Sequence, residues 1–410
     1  MPDHEDGEAR RGPLGDRPAE RAHVGVAAED EVVDHQLDLA PHRAGHGLGP
    51  AGVTRDVALD DYAVCEQLLV GGSRSFFWAS LLLPARLRRA AAALYAFCRE
   101  ADDAVDHGGG LAGLEHCRRR LDDLYAGHAS TAVDRAFARV VVEFHVPREL
   151  PEALLEGMAW DVEGRRYEDL SDLTAYATRV AGTVGAMMAL LMGRRDAAAL
   201  ERAVELGIAM QLTNIARDVG EDARMGRIYL PRNWLRDAGL DPDVTAADLR
   251  HGPELASVVA RLLEVAEVLY RRAGRGVGAL RWHFRPAMHA ARLLYREIGM
   301  EVARHGHDSC TRRAIVPPWR KSGCVARAAL AALRTTPPDG FEVPAEARFL
   351  IDAAAVHAAD VASVSALSRW TRHLDERAGW TIELFIRQAQ RHQAGEVRVG
   401  RAVPVRRRAR

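Results

Sequence analysis

From Asp60 to roughly residue 335, apolar residues recur at three- and four-residue spacing while β-branched residues stay sparse. That period marks one face of an α-helix, repeated many times, so the chain is confined to packing helix on helix. Its 410 residues, dominated by Ala, Leu and Arg, suffice for one large domain or two ordinary ones. The expected fold class is all-α. Helix stops fall at Pro84, Gly108-Gly109-Gly110, Pro147, Pro151, Gly193, Pro231 and Pro317-Pro318.

Residues 1–55 carry Gly, Pro, His and charge without sustained periodicity and read as a disordered tail. Residues 56–335 form the main helical domain, and Pro337-Pro338-Asp339-Gly340 opens a C-terminal helical extension, 336–395, before a basic tail, 396–410. Gly47, Gly49 and Gly52 spell a dinucleotide fingerprint, but no strand precedes them and Pro50 interrupts them, so chance is the better account. His107-Gly108-Gly109-Gly110 matches the oxyanion loop of some esterases; no Gly-x-Ser-x-Gly elbow accompanies it, and the glycines read as a helix stop.

The five cysteines are scattered and never form CxxC, which argues against zinc or a disulfide framework and fits a reducing cytosol. The N-terminus lacks the apolar core of a secretory leader, and the longest apolar run, Val180 to Met192, falls short of the roughly 20 residues that span a bilayer. A cytoplasmic protein is expected, able to rest peripherally on the inner face of the membrane. A net charge of −1 makes no case for nucleic acid as a partner.

Two aspartate pairs stand out, Asp102/Asp106 in CREADDAVD and Asp218/Asp222 in QLTNIARDVGED. Residues i and i+4 share a helix face, so each pair sets two carboxylates side by side at a cost of a few tenths of a kcal/mol, which a bound cation would offset. In the first helix Leu94, Cys98, Ala101 and Val105 form the apolar stripe, with Tyr95, Arg99, Asp102, Asp103 and Asp106 opposite. In the second, Ile208, Leu212, Ile215 and Val219 form the stripe, with Gln211, Asn214, Asp218 and Asp222 opposite. Oxygen donors repeated on two helices suit Mg²⁺, or Mn²⁺ in its place, a hard ion that takes one or two carboxylates plus substrate phosphates. Solvated polar faces are the plain alternative. Arg217, Arg227 and Tyr229 interleave with or follow the second pair and could neutralise a diphosphate.

With these motifs the chain resembles the squalene/phytoene synthase family, most of all its bacterial phytoene synthases. The resemblance rests on SRSFFWASLLLP (73–84), LYAFCREADDAVD (94–106), GMAWDVEGRRYEDLSDLTAYATRVAGTVGAMM (157–188) and QLTNIARDVGEDARMGRIYLP (211–231), with AARLLYREIG (290–299) weaker. It implies a terpenoid-synthase-like helical bundle around a central apolar cavity, with 56–335 as the prenyl-diphosphate condensing domain. Asp102, Asp103, Asp106, Asn214, Asp218 and Asp222 would hold Mg²⁺, with Glu221 in support. Asp102, Asp106, Asp218, Asp222, Arg99 and Tyr176 would carry catalysis. Ser73, Ser75, Phe76, Arg99, Gln211, Asn214, Arg217, Arg227, Tyr229, Tyr295 and Lys321 would bind substrate. For Ser73 and Ser75, a helix N-cap is the local alternative.

The implied reaction is head-to-head condensation of two geranylgeranyl diphosphates to phytoene, in carotenoid biosynthesis, without NADPH. The implied partners are prenyl diphosphates and downstream carotenoid enzymes, and Arg406, Arg407, Arg408 and Arg410 could attract anionic lipid. Gly182 and Gly185 sit where either a passing isoprenoid or close helix packing would need small residues. The alternatives are a squalene, dehydrosqualene or hydroxysqualene synthase acting on farnesyl diphosphate, and a non-catalytic homologue acting as an assembly or binding protein.

Overall fold

A computed structural model of the chain describes residues 50–106, 109–245, 247–334 and 343–356. These all lie within one unit, Gly49–Arg410. Most of the N-terminal tail, the Pro337–Gly340 break, most of the C-terminal extension and the basic tail lie outside the described residues.

Helix follows helix from the first described residue. In chain order they are α1 (Pro50–Gly72), α2 (Arg74–Ser80), α3 (Ala85–Asp106), α4 (Gly110–Tyr125), α5 (Ala132–Phe144), α6 (Glu149–Val162) and α7 (Leu170–Ala177). Then come α8 (Thr183–Leu191), α9 (Ala197–Arg224), α10 (Arg232–Asp237), α11 (Pro253–Gly276), α12 (Arg285–Arg304), α13 (Pro318–Ala332) and α14 (Arg348–Val356). Among the described residues there is no strand. Helix starts follow local chemistry: the side chains of Ser73, Thr131, Asp169 and Asp196 each accept from the amide three residues on. Pro151 and Pro318, both expected to stop helices, sit instead in the first turns of α6 and α13. A missing N–H costs nothing there.

α9 is the central helix, buried along much of its length and packed by α8, α11 and α12. α1 and α3 close the bundle with α5, where Phe97 stacks on Phe137 at 4.5 Å. Buried Asp61 of α1 is held by Arg135 and Arg139 of α5, each at 2.6 Å, so that junction carries no unpaired charge.

The glycines of the VAGTVG stretch serve close helix approach. A Cβ on Gly185 would stand 2.1 Å from the Ala203 carbonyl oxygen of α9, and one on Gly207 equally close to that of Ala181. Just before α8, Thr178–Gly182 forms a π turn, the kind of local widening often found beside functional sites.

Candidate active site

On α3, Leu94, Ala101 and Val105 are buried as the stripe requires; Cys98 is only half-buried, and Phe97 fills the core beside them. Arg99 sits one turn before the acids and pairs more closely with Asp103, at 2.8 Å, than with Asp102, at 3.6 Å. Burial first, then the neighbouring Asp106, push the Asp102 carboxyl up to about 6, with Arg99 opposing. Asp102 keeps 51% of its side chain exposed, so solvent screens much of that effect.

On α9, Ile208, Leu212, Ile215 and Val219 are all buried. The expected unbroken ladder Gln211–Asn214–Asp218–Asp222 is not what forms. Asp218 leaves helical geometry, with φ −106° and ψ 15°. The Gly220 amide donates to the Ser309 carbonyl at 2.8 Å, and the Ala216 carbonyl accepts from the Ser309 hydroxyl at 2.5 Å. A residue wedged into the ladder in this way kinks a helix. Above the kink, Asn214 and Gln211 remain neighbours, the Asn214 amide donating to the Gln211 side-chain oxygen at 3.4 Å.

The two motifs nevertheless meet. Arg227, just past the end of α9, donates to Asp106 of α3 at 2.6 Å. Beside them lies Asp161, near the end of α6, which accepts from Tyr176 at 2.8 Å and from Tyr229 at 2.7 Å. Burial raises the Asp161 carboxyl; the two tyrosine bonds and Arg227 oppose that rise, while Asp106 adds to it. Asp222 is pushed up to about 8, by burial first and then by Asp218 and Glu221, with Arg227 opposing. Asp161 adds to the rise at both Asp102 and Asp222, so carboxylates of both motifs lie in one shared field.

A second cluster surrounds Asp218, which accepts from Arg217 at 2.7 Å and from Arg313 at 2.9 Å. Tyr295 of α12 lies in the field of Arg217 and Asp218, with the Ser73 hydroxyl beside it. Ser73 is thus both the N-cap of α2 and a neighbour of this cluster. The Phe76 ring sits 5.2 Å from that of Tyr295 and 6.1 Å from that of Tyr95. Ser75 is half-buried on α2, and Lys321 half-buried in the first turn of α13, which packs along α12.

Sequence reasoning missed Asp161, Ser309 and Arg313. Asp161 lies in the GMAWDVEGRRYED stretch, but nothing local separates it from Glu163 or Glu168. In a chain with so many arginines, Arg313 carries no signal of its own.

Among the described residues, no three Asp, Glu, His or Cys side chains close on a common point as a ready metal cage. Arginines partner several of the acids, Asp103, Asp106 and Asp218 among them. Burial first, then neighbouring carboxylates, raise Asp102 and Asp222 by more than Arg99 and Arg227 offset, so a cation would favour their ionised form. Such donors fit a divalent ion that takes its remaining ligands from diphosphate and water. A small cavity under this corner is lined by Ile215, Val219, Asp222, Arg227 and Tyr229.

The squalene/phytoene synthase family matches residues 69–320. The phytoene synthase of Rhodobacter capsulatus is 49% identical over 309 residues, 73% of this chain and 91% of that one. The 15-cis-phytoene synthase of a Paracoccus species is 39% identical, covering 63% of this chain and 87% of its own. A solved dehydrosqualene synthase superposes with a TM-score of 0.63 at 32% identity, covering 67% of this chain and 96% of that one. The chain therefore belongs to the squalene/phytoene synthase family, with that family's helical terpenoid-synthase fold.

Proposed function

We propose that this enzyme condenses two molecules of geranylgeranyl diphosphate head to head, through prephytoene diphosphate, to phytoene, releasing two diphosphates. The observation that carries the reading is the bridge from Arg227 to Asp106 beside Asp161, which gathers both aspartate motifs into one field. Identity to phytoene synthases, at 49%, sets the product class.

Magnesium bound through Asp102, Asp106, Asn214, Asp218 and Asp222 would supply positive charge to the leaving diphosphate. The protein's own part is to orient and neutralise. Arg217, Arg227 and Arg313, already paired with the motif aspartates, are placed to exchange those partners for diphosphate oxygens as charge develops. Tyr295 and Ser73 offer hydroxyls at the Asp218 end. Tyr176 and Tyr229 point their hydroxyls at Asp161 and hold that carboxylate in place. The rings of Phe76 and Tyr95 lie beside Tyr295 in the same region, where a ring face can stabilise a cation and keep water away. Proton loss ends the sequence as a conjugated triene, so no nicotinamide is consumed.

Substrates and product of this length call for contact with a membrane surface. No helix among the described residues is long and apolar enough to cross one. Exposed Trp282 and Trp319 support a peripheral contact, from which product passes to downstream carotenoid enzymes. A fifteen-carbon substrate is the second reading, favoured by the likeness to the dehydrosqualene synthase structure.

The test is incubation with geranylgeranyl or farnesyl diphosphate and Mg²⁺, with and without NADPH, followed by product mass. A forty-carbon triene formed without NADPH is the expected product. A thirty-carbon product from farnesyl diphosphate alone moves the assignment to the second reading.

A further inference from the structure

The loop between α12 and α13 enters the second aspartate motif instead of passing over it. Ser309 is buried, with 5% of its surface exposed. Its hydroxyl donates to the Ala216 carbonyl at 2.5 Å, and its own carbonyl accepts from the Gly220 amide at 2.8 Å. Ala216 and Gly220 are i and i+4, the two residues that would close one helical hydrogen bond between them. One residue of a remote loop therefore partners both groups that would close that bond. Asp218, midway between them, is the residue that leaves helical geometry.

The approach has a steric condition, since a Cβ at Gly220 would lie 2.3 Å from the Cys310 carbonyl oxygen and 2.7 Å from its Cα. The loop is also braced. Gly306 and His307 take φ of 68° and 59°, and the Asp308 carboxylate accepts from the Cys310 and Thr311 amides at 3.2 and 3.0 Å. Beyond Ser309, Arg313 pairs with Asp218 itself at 2.9 Å.

We propose that Ser309 is a positioning residue for the second aspartate motif: by holding α9 open between Ala216 and Gly220, it sets the Asp218 carboxylate relative to Asp222 for a divalent ion shared with diphosphate. This rests on the metal reading of that motif. In a continuous helix the two aspartates would stack one turn apart; here the break, and so their spacing, depends on a single hydroxyl and a single carbonyl. Without the hydroxyl, the Ala216 carbonyl loses its donor and the helical bond to Gly220 can compete for it.

The test uses the full-length chain and two readouts. One is Mn²⁺ affinity in the presence of inorganic diphosphate, read by electron paramagnetic resonance. The other is the Mg²⁺ dependence of turnover. Ser309→Ala is expected to weaken Mn²⁺ binding about tenfold, as loss of a group that orients metal ligands does. The Mg²⁺ needed for half-maximal turnover rises in step, while kcat at saturating Mg²⁺ falls less. Ser309→Thr keeps the hydroxyl and is expected to bind closer to the parent than to the alanine variant. Should Ser309→Ala fail to fold, Ser309→Cys, similar in size and a poor donor, carries the same comparison. A folded Ser309→Ala with parental Mn²⁺ affinity overturns the proposal, as does a threonine variant as weak as alanine. Asp218→Asn separates the two levels. If it binds Mn²⁺ like the parent, the metal reading of the motif fails; if it loses binding and Ser309→Ala does not, only the role of Ser309 fails.

Discussion

Asp161 shows how a side chain can be central to a site and leave no mark in the sequence. Its two hydroxyl partners lie 15 and 68 positions away, on α7 and beyond α9. The motif aspartates were legible because a helix turns one-dimensional spacing into a shared face; Asp161 has no such rule to announce it. If it ties the two motifs together, Asp161→Asn will lower kcat/KM about a hundredfold, by analogy with groups that orient metal ligands, while far-ultraviolet circular dichroism stays unchanged. A parental rate would remove it from the site. The raised carboxyls make a pH prediction with a definite sign. Asp102 sits at about 6 and Asp222 at about 8, both above the ordinary 3.8, so protons compete for the oxygens that a divalent ion needs. Half-saturating Mg²⁺ should therefore fall as pH rises through that range and then level off. Asp222→Asn should lose the upper part of the change. A Mg²⁺ requirement flat across the range would show that these carboxylates do not bind the ion.

At the scale of single helices, the period of the apolar residues located α3 and α9 and named most of their buried faces. It could not show where a helix is pried open, because the cause sits in another loop: Ser309 is 93 positions from Ala216. Nor could it decide between the two uses of the glycines near α8, since a small residue reads the same beside a ligand or a backbone. An added Cβ on Gly185 would lie 2.1 Å from the Ala203 carbonyl oxygen, and one on Gly207, across the same contact, 2.1 Å from that of Ala181, which decides for backbone contact. Gly207→Ala should accordingly destabilise the fold, by at least the roughly 1–3 kcal/mol typical of overpacking, because the obstacle is main chain and cannot swing aside. Gly71, near the end of α1 and with nothing within 4 Å of an added Cβ, is the control. Gly71→Ala should be neutral or stabilising by up to about 1 kcal/mol. Chemical denaturation of the two variants checks the contrast, and equal midpoints would refute the close-packing account.

For the molecule as a whole, composition and period were enough for an all-helical chain, yet not for which helices touch. Pairing depends on side chains meeting across long separations, such as Asp61 of α1 with Arg135 and Arg139 of α5. The proposed site depends on that pairing, because it draws on α3, α6, α9 and the loop after α12, and no one segment contains it. Without a cation, Asp102 and Asp222 hold more protons in the native state than in the unfolded chain between the ordinary carboxylate range and their raised values. The stability these two carboxyls contribute should therefore fall as pH rises from about 4 toward about 8. Ligands that bind only this assembled arrangement reverse the loss by mass action, adding about 2.7 kcal/mol at a hundred times their dissociation constant. Mg²⁺ together with inorganic diphosphate should then raise the melting temperature by several degrees near pH 8, and by less near pH 6, where protons hold the same oxygens. Either ligand alone should do little, since the acids repel free diphosphate and the ion lacks its phosphate ligands. Calorimetry at the two pH values reads this directly. Equal shifts at both, or a full shift in the Asp222→Asn variant, would mean that the raised carboxylates are not where the ion binds.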